Sequence, residues 1–234
     1  MDIKLNYIEK GTGFPMILLH GNGENLEYFQ HQVEYFSKAY RVIAVDTRGH
    51  GRSPRGQAPF TLEQFAEDLK AFLDLMKISK TILLGFSDGG NTALLFTLKY
   101  QSYVRVLILN GANLNPKGVK RSWQIPIEIG YKMTSLLAPF SKTAAAKKEL
   151  LELMVTQPDI PCKTLRKIEV PTLVIAGTKD MVLEHHTKEI HRYLRRSKLV
   201  LVEGDHFIAD KKAPAFNKAV EHFLKQTAKK AETQ

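Results

Sequence analysis

Polar and apolar residues alternate from Ile3 to Glu9, and the chain then changes to the unbroken aliphatic run Met16–Leu19. The alternation predicts a half-exposed edge strand, and the continuous run predicts a central parallel strand covered on both faces. Runs of strand length recur at Arg41–Val45, Thr81–Phe86, Val104–Leu109, Leu173–Ala176 and Lys198–Val202. Between them, apolar residues fall at helical spacing: Tyr28, Phe29, Val33 and Phe36, then Leu62, Phe65, Leu69, Phe72, Leu73 and Met76, then Ala93, Leu94 and Leu98. Thr61 to Gln64 has the spacing of a capping box at the head of the second group. A basic helix follows from about Glu184 to Leu194, and Phe216, Ala219, Val220, Phe223 and Leu224 mark the inner face of a closing helix. Strands alternating with helices predict an α/β chain with a mostly parallel, doubly wound sheet.

The rhythm stops after Asn110-Gly111-Ala112-Asn113 and resumes only at Pro171. The stretch between carries five prolines, the only tryptophan, Trp123, and amphipathic pieces around Ile127–Leu137 and Ala144–Val155. It is too patterned for a plain loop. The predicted organisation is therefore a core domain of residues 1–112 and 171–234 with a helical cap inserted at 113–170.

Composition narrows the class without changing this picture. A chain of 234 residues holds one domain with a large core, and its lone cysteine, Cys162, can form no internal disulfide. The aliphatic runs are strand-sized rather than membrane-sized, and the N-terminus lacks a basic segment followed by a long apolar run. The expectation is a cytoplasmic protein, monomer or homodimer, with no membrane partner. The net charge of +10 invites a nucleic-acid reading, but the basic residues are spread over helix faces, insertion and tail. No nucleic-acid-binding motif accompanies them, so no nucleic acid is expected.

The chemistry gathers in the loops that leave the carboxyl ends of the strands, which meet along one edge of such a sheet. Thr81–Phe86 runs into Gly85-Phe86-Ser87-Asp88-Gly89-Gly90 and then a helix, the strand–turn–helix setting in which Gly-x-Ser-x-Gly holds a nucleophilic serine. Four further loops stand out: His20-Gly21-Asn22-Gly23, Asp46-Thr47-Arg48-Gly49-His50-Gly51-Arg52-Ser53, Gly177-Thr178-Lys179-Asp180 and Gly204-Asp205-His206. The second needs a side-chain hydrogen-bond network to hold its alternating glycines and charges in a compact loop.

On these five motifs, in this order, the chain resembles the α/β-hydrolase superfamily from about Leu5 to Leu224. Ser-Asp-Gly-Gly-Asn-Thr-Ala-Leu and Asn-Gly-Ala-Asn are similar to the valacyclovir hydrolase (biphenyl-hydrolase-like) subgroup. The resemblance implies an α/β-hydrolase fold and a serine hydrolase acting on a small acyl substrate, with no metal and no organic cofactor. Ser87 would attack, His206 would take its proton, and Asp180 would orient the imidazole. Asp180 also admits a helix-capping role. The backbone N–H of Asp88, at a helix start, and by resemblance that of Asn22 would stabilise the oxyanion. His20 and His50 are expected to make structural hydrogen bonds, and His31, His185, His186, His191 and His222 to lie on the surface. Trp123 and the aliphatics near Leu136 and Leu153 are expected to cover the acyl site.

The side chain of Asp88 leaves two readings. A carboxylate beside the nucleophile opposes oxyanion formation unless a cation neutralises it. Either a substrate ammonium is that cation, which with the subgroup resemblance implies amino-acid esters, or Asp88 turns away into a local salt bridge, for instance with a cap lysine or arginine. Two other functions use the same residues: a small-molecule receptor on this fold, and a carbon–carbon bond hydrolase.

Overall fold

Residues 2–232 are described by a computed structural model; residues 1, 233 and 234 of the predicted core lie outside the described residues. The strands are β1 (Tyr7–Lys10), β2 (Pro15–Leu19), β3 (Arg41–Val45), β4 (Thr81–Phe86), β5 (Val104–Asn110), β6 (Thr172–Gly177) and β7 (Ser197–Val202). They form one sheet in the order β1-β3-β2-β4-β5-β6-β7. Only β1 is antiparallel; every other pairing is parallel. The helices are α1 (Gln30–Phe36), α2 (Leu62–Leu75), α3 (Asp88–Tyr100), α4 (Arg121–Leu137), α5 (Lys142–Thr156), α6 (Glu184–Tyr193), α7 (Ile208–Lys211) and α8 (Ala213–Glu232).

Period-two alternation divides each central strand between two cores. Ile17, Leu19, Ile43, Leu83, Leu107 and Val174 pack with α2, α3 and α6. Met16, Leu18, Val42, Leu84, Ile108 and Leu173 pack with α1 and with Phe216, Val220, Phe223 and Leu224 of α8. This two-sided burial is why the strands read as unbroken aliphatic runs. Helix α2 begins where the spacing predicts, with Thr61 Oγ1 accepting the N–H of Gln64 at 3.1 Å.

Two boundaries differ from the sequence reading. The first strand begins at Tyr7, because the carbonyl of Asn6 accepts the N–H of Asp46 and the N–H of Asn6 donates to Ser53 Oγ. Ile3 and Leu5 instead turn into the core. The segment read as one helix from Tyr28 is a 3₁₀ turn, Leu26–Phe29, followed by α1.

Between β5 and β6 the chain forms α4 and α5 with short 3₁₀ turns. These helices lie over the loop edge of the sheet: Arg55 pairs with Glu149, Asn22 Nδ2 donates to the carbonyl of Leu150, and Leu153 packs on Leu62 and Phe65. No helix among the described residues is long and apolar enough to cross a membrane.

Candidate active site

Strand β4 delivers Ser87 in a conformation that a side-chain-bearing residue seldom adopts, φ 51° and ψ −120°. The turn closes only because its flanking residues are small. A Cβ on Gly85 would lie 2.6 Å from the Gly90 nitrogen, and one on Gly89 would lie 2.5 Å from the His20 carbonyl oxygen. The Ser87 N–H donates to the Asn110 carbonyl at 2.8 Å, tying the turn to β5.

Two further loops then converge on the serine. His206 Nε2 lies 3.0 Å from Ser87 Oγ, and His206 Nδ1 lies 2.6 Å from Asp180 Oδ1. Asp180 and His206 are buried. Asp180 is held in turn by the N–H groups of Val182 at 2.9 Å and Gly177 at 3.4 Å. It stands before the helix without capping it, since the residue preceding α6 is Leu183. The imidazole rests on Phe86, with ring centroids 4.7 Å apart. Such a row can pass a proton from hydroxyl to imidazole while the carboxylate steadies the cation that forms. Asp205, the neighbouring carboxylate, is taken up by the N–H of Phe207 and by Lys211.

The N–H of Asp88 is the first of α3 and has no carbonyl one turn earlier to receive it. Neither it nor the N–H of Asn22 is taken by an acceptor among the described residues. The Asn22 loop is positioned by His20, whose Nε2 accepts the N–H of Thr47 at 3.1 Å while its Nδ1 meets the carbonyl of Gly21 at 2.7 Å. Burial pushes the imidazole of His20 down to about 4, so it stays neutral and keeps this tautomer. The neighbouring loop is held as its composition predicts. Asp46 gathers the N–H groups of Leu26 and Arg52 and the side chain of Asn6, and all five N–H groups of fully buried Arg48 are taken by Asp68, Asp2 and the carbonyl of Arg55.

Asp88 has no lysine or arginine partner among the described residues, which removes the cap salt bridge weighed for it. Its Oδ1 accepts from Asn91 Nδ2 at 3.0 Å, and the same amide donates to Asn113 Oδ1 at 3.0 Å. The two short motifs that carry the narrower resemblance are therefore in contact. Asp88 Oδ2 is shut off from solvent and meets no donor in hydrogen-bonding geometry; the nearby Asn22 amide donates to the Leu150 carbonyl. Desolvation raises its carboxyl to about 6, with the side chains of Asn91 and Asn22 and the charge of His206 opposing the rise.

Ser87, Asp88, His206, Asn113, Gln124 and Met154 border a cavity of about 20 Å³, room for roughly one water. Across Val119 and Gln124, which line both spaces, lies a larger one of about 690 Å³ between α4 and the turn at Pro116–Gly118. Gln124 Nε2 donates to the Met154 carbonyl at 3.3 Å, but its buried Oε1 has no partner. Sequence reasoning missed Gln124. It also placed Trp123 over the site, whereas this side chain is 54% exposed and lines neither space. Adjacent helical residues point in different directions, and α4 turns Gln124 inward. Leu136 is likewise outside, 75% exposed, while Leu153 is buried beside Asn22 and Asp88. His186, expected on the surface, is buried with Nε2 accepting the N–H of Leu114 at 2.9 Å.

A family model for the alpha/beta hydrolase fold matches residues 15–133. The 3-oxoadipate enol-lactonase 2 of Acinetobacter baylyi is 28% identical over 96% of this chain and 94% of its own length. The human serine hydrolase BPHL is 31% identical over 95% of this chain and 83% of its own. Among solved structures, the enol-lactonase from Burkholderia xenovorans LB400 superposes with a TM-score of 0.80 at 22% identity, covering 95% of this chain and 97% of that one. With the strand order, the serine turn and the converging loops, these similarities place the chain in the α/β-hydrolase family.

Proposed function

We propose that this protein is a serine hydrolase that cleaves a small carboxylic ester through an acyl-enzyme and favours esters of amino acids. The observation that carries the reading is the row Ser87–His206–Asp180, with separations of 3.0 and 2.6 Å, built on a serine in a strained turn. In this mechanism Ser87 Oγ attacks the ester carbonyl while His206 Nε2 takes its proton, and Asp180 stabilises the imidazolium. Negative charge builds on the carbonyl oxygen, where the N–H groups of Asp88 and Asn22 stabilise it. His206 then protonates the departing alcohol. Water, activated by the same histidine, releases the acid and restores the serine. Similarity to a lactonase and to a serine hydrolase supports ester cleavage.

The preference for a cationic acyl group rests on Asp88, a residue that borders the serine's cavity and whose buried Oδ2 lacks a partner. An ammonium on the α-carbon of the acyl group would supply that partner and offset the repulsion between carboxylate and oxyanion. The space at Ser87 holds about one water, so admitting an ester requires movement of its wall, either the Gln124 side chain toward the larger cavity or the cap helices themselves.

The test is a panel of aryl esters, lactones and α-amino esters, each amino ester paired with its des-amino analogue, on wild type and Ser87→Ala. The expected result is multiple turnover that falls by about 10⁴-fold or more in the variant. Turnover that survives in Ser87→Ala overturns the mechanism. A single turnover that stalls on every ester would instead favour a receptor.

A further inference from the structure

Helix α4 reverses the usual arrangement of a surface helix, which buries its apolar stripe and shows its polar one. Ile125, Ile129, Met133 and Leu136 recur at three- and four-residue spacing along the side that faces outward, and Phe140, 87% exposed, continues the row past the helix end. Most of the exposed large apolar side chains of the described residues lie on this one element and the turn after it. A contiguous apolar patch of this kind marks an interaction site.

The charge of the segment that carries the patch selects its partner. Between residues 117 and 147 the sequence holds Lys117, Lys120, Arg121, Lys132, Lys142 and Lys147 against a single acid, Glu128. Arg121 is paired with Glu128 at 3.1 Å, and the five lysines have no ion-pair partner among the described residues. At 100° per residue, Lys132 falls beside the row formed by Ile125, Ile129 and Leu136. A second copy of the chain fits poorly, since a two-fold contact would press this cationic face against itself in a molecule of net charge +10.

We infer that the outer face of α4 docks on an anionic lipid surface. Its apolar side chains would enter the boundary between headgroups and acyl chains while Lys132 beside the row and Lys142, two residues past Phe140, meet lipid phosphates and carboxylates, the mode of an amphipathic helix lying in the interface plane. This is contact with a membrane surface, not a span, and it uses none of the residues assigned to ester cleavage. Neither the length of the hydrophobic runs nor the overall charge disclosed it, because it depends on which side of α4 the fold leaves uncovered.

Co-sedimentation with phosphatidylcholine vesicles, with and without phosphatidylserine, tests the inference on the purified full chain. Wild type is expected to pellet with the mixed vesicles, to be released by salt, and to stay in solution with phosphatidylcholine alone. Leu136→Glu combined with Phe140→Glu should weaken binding at least about tenfold, and Lys132→Glu with Lys142→Glu by about tenfold or more. Both double variants change exposed side chains and should keep wild-type turnover of a soluble ester, which shows that they are folded. Absence of binding to the mixed vesicles overturns the inference, as does equal binding by the apolar variant. A wild-type dimer in sedimentation velocity that the apolar variant dissolves also overturns it, by assigning the patch to a second copy.

Discussion

At the scale of single residues the site depends on positions without side chains as much as on those that react. Gly111 has φ 61°, and a Cβ there would lie 2.7 Å from His206 Cε1. Gly111→Ala should therefore push the imidazole away from Ser87 and lower kcat by about a hundredfold, the cost of a misplacement on the order of 1 Å. KM should change little, and circular dichroism should show the fold retained. An unchanged kcat would mean that His206 has freedom this packing denies it. Asp88 gives a second expectation. Its carboxyl is raised to about 6, chiefly by desolvation, so the proposed ammonium contact should strengthen as pH rises through that value and ionises it. The ratio of kcat/KM for an α-amino ester to that of its des-amino analogue cancels the shared titration of the general base. That ratio should rise between about pH 5 and 7 in wild type, and Asp88→Asn should lower it by about ten- to a hundredfold and flatten it. A flat ratio in wild type would sink the ammonium contact while leaving ester cleavage by Ser87 intact.

At the scale of elements, α4 separates what the sequence discloses from what it conceals. Buried on both faces, β2 to β6 leave a direct trace as aliphatic runs, and the loops at their ends carry side chains that only a strand-end site needs. Ser87, Asp180 and His206 could thus be brought together on paper from positions far apart in the chain. The cap offers no such trace. Its helices are amphipathic, but period alone does not say whether the apolar stripe faces a core, a ligand or the outside. Trp123 looks like a lid residue by composition, yet one step along the helix Gln124 is the residue at the cavity wall. His186 lies elsewhere for a related reason: its surroundings in sequence are polar, and it is covered by the segment after β5, where the Leu114 N–H donates to it and Gly118 lies against its ring. Because Gln124 separates the space at Ser87 from the larger one, Gln124→Ala should join them. Esters with bulky alcohols should then gain roughly tenfold in kcat/KM, about the worth of a relieved overpacking contact, while methyl esters change little. A uniform loss across alcohols would show that Gln124 supports α5 through Met154 rather than dividing the pocket.

Over the whole molecule, groups that burial holds uncharged set opposing pH dependences. His20 is pushed down to about 4, and His50 and His186 are also lowered, in each case first by desolvation. Between about pH 6.5 and 4 the unfolded chain takes up a proton at His20 that the folded chain refuses, so this part of the stability is lost as pH falls through that window. Glu24 works the other way. Burial raises it to about 7, with the N–H of Gly21 and the charge of His206 resisting. The folded chain keeps a proton there that the unfolded chain releases from about pH 4.5 upward, so stability declines as pH rises from about 4.5 to 7. Glutamine at this position has no charge to bury and can still accept the Gly21 N–H, now at 3.1 Å from Glu24 Oε2. Glu24→Gln should therefore be more stable than wild type at about pH 8, by on the order of 1 kcal/mol, and indistinguishable from it near pH 4.5. Urea denaturation of both proteins across that range measures the difference. A gain of the same size at both ends would reflect packing rather than the suppressed ionisation of Glu24.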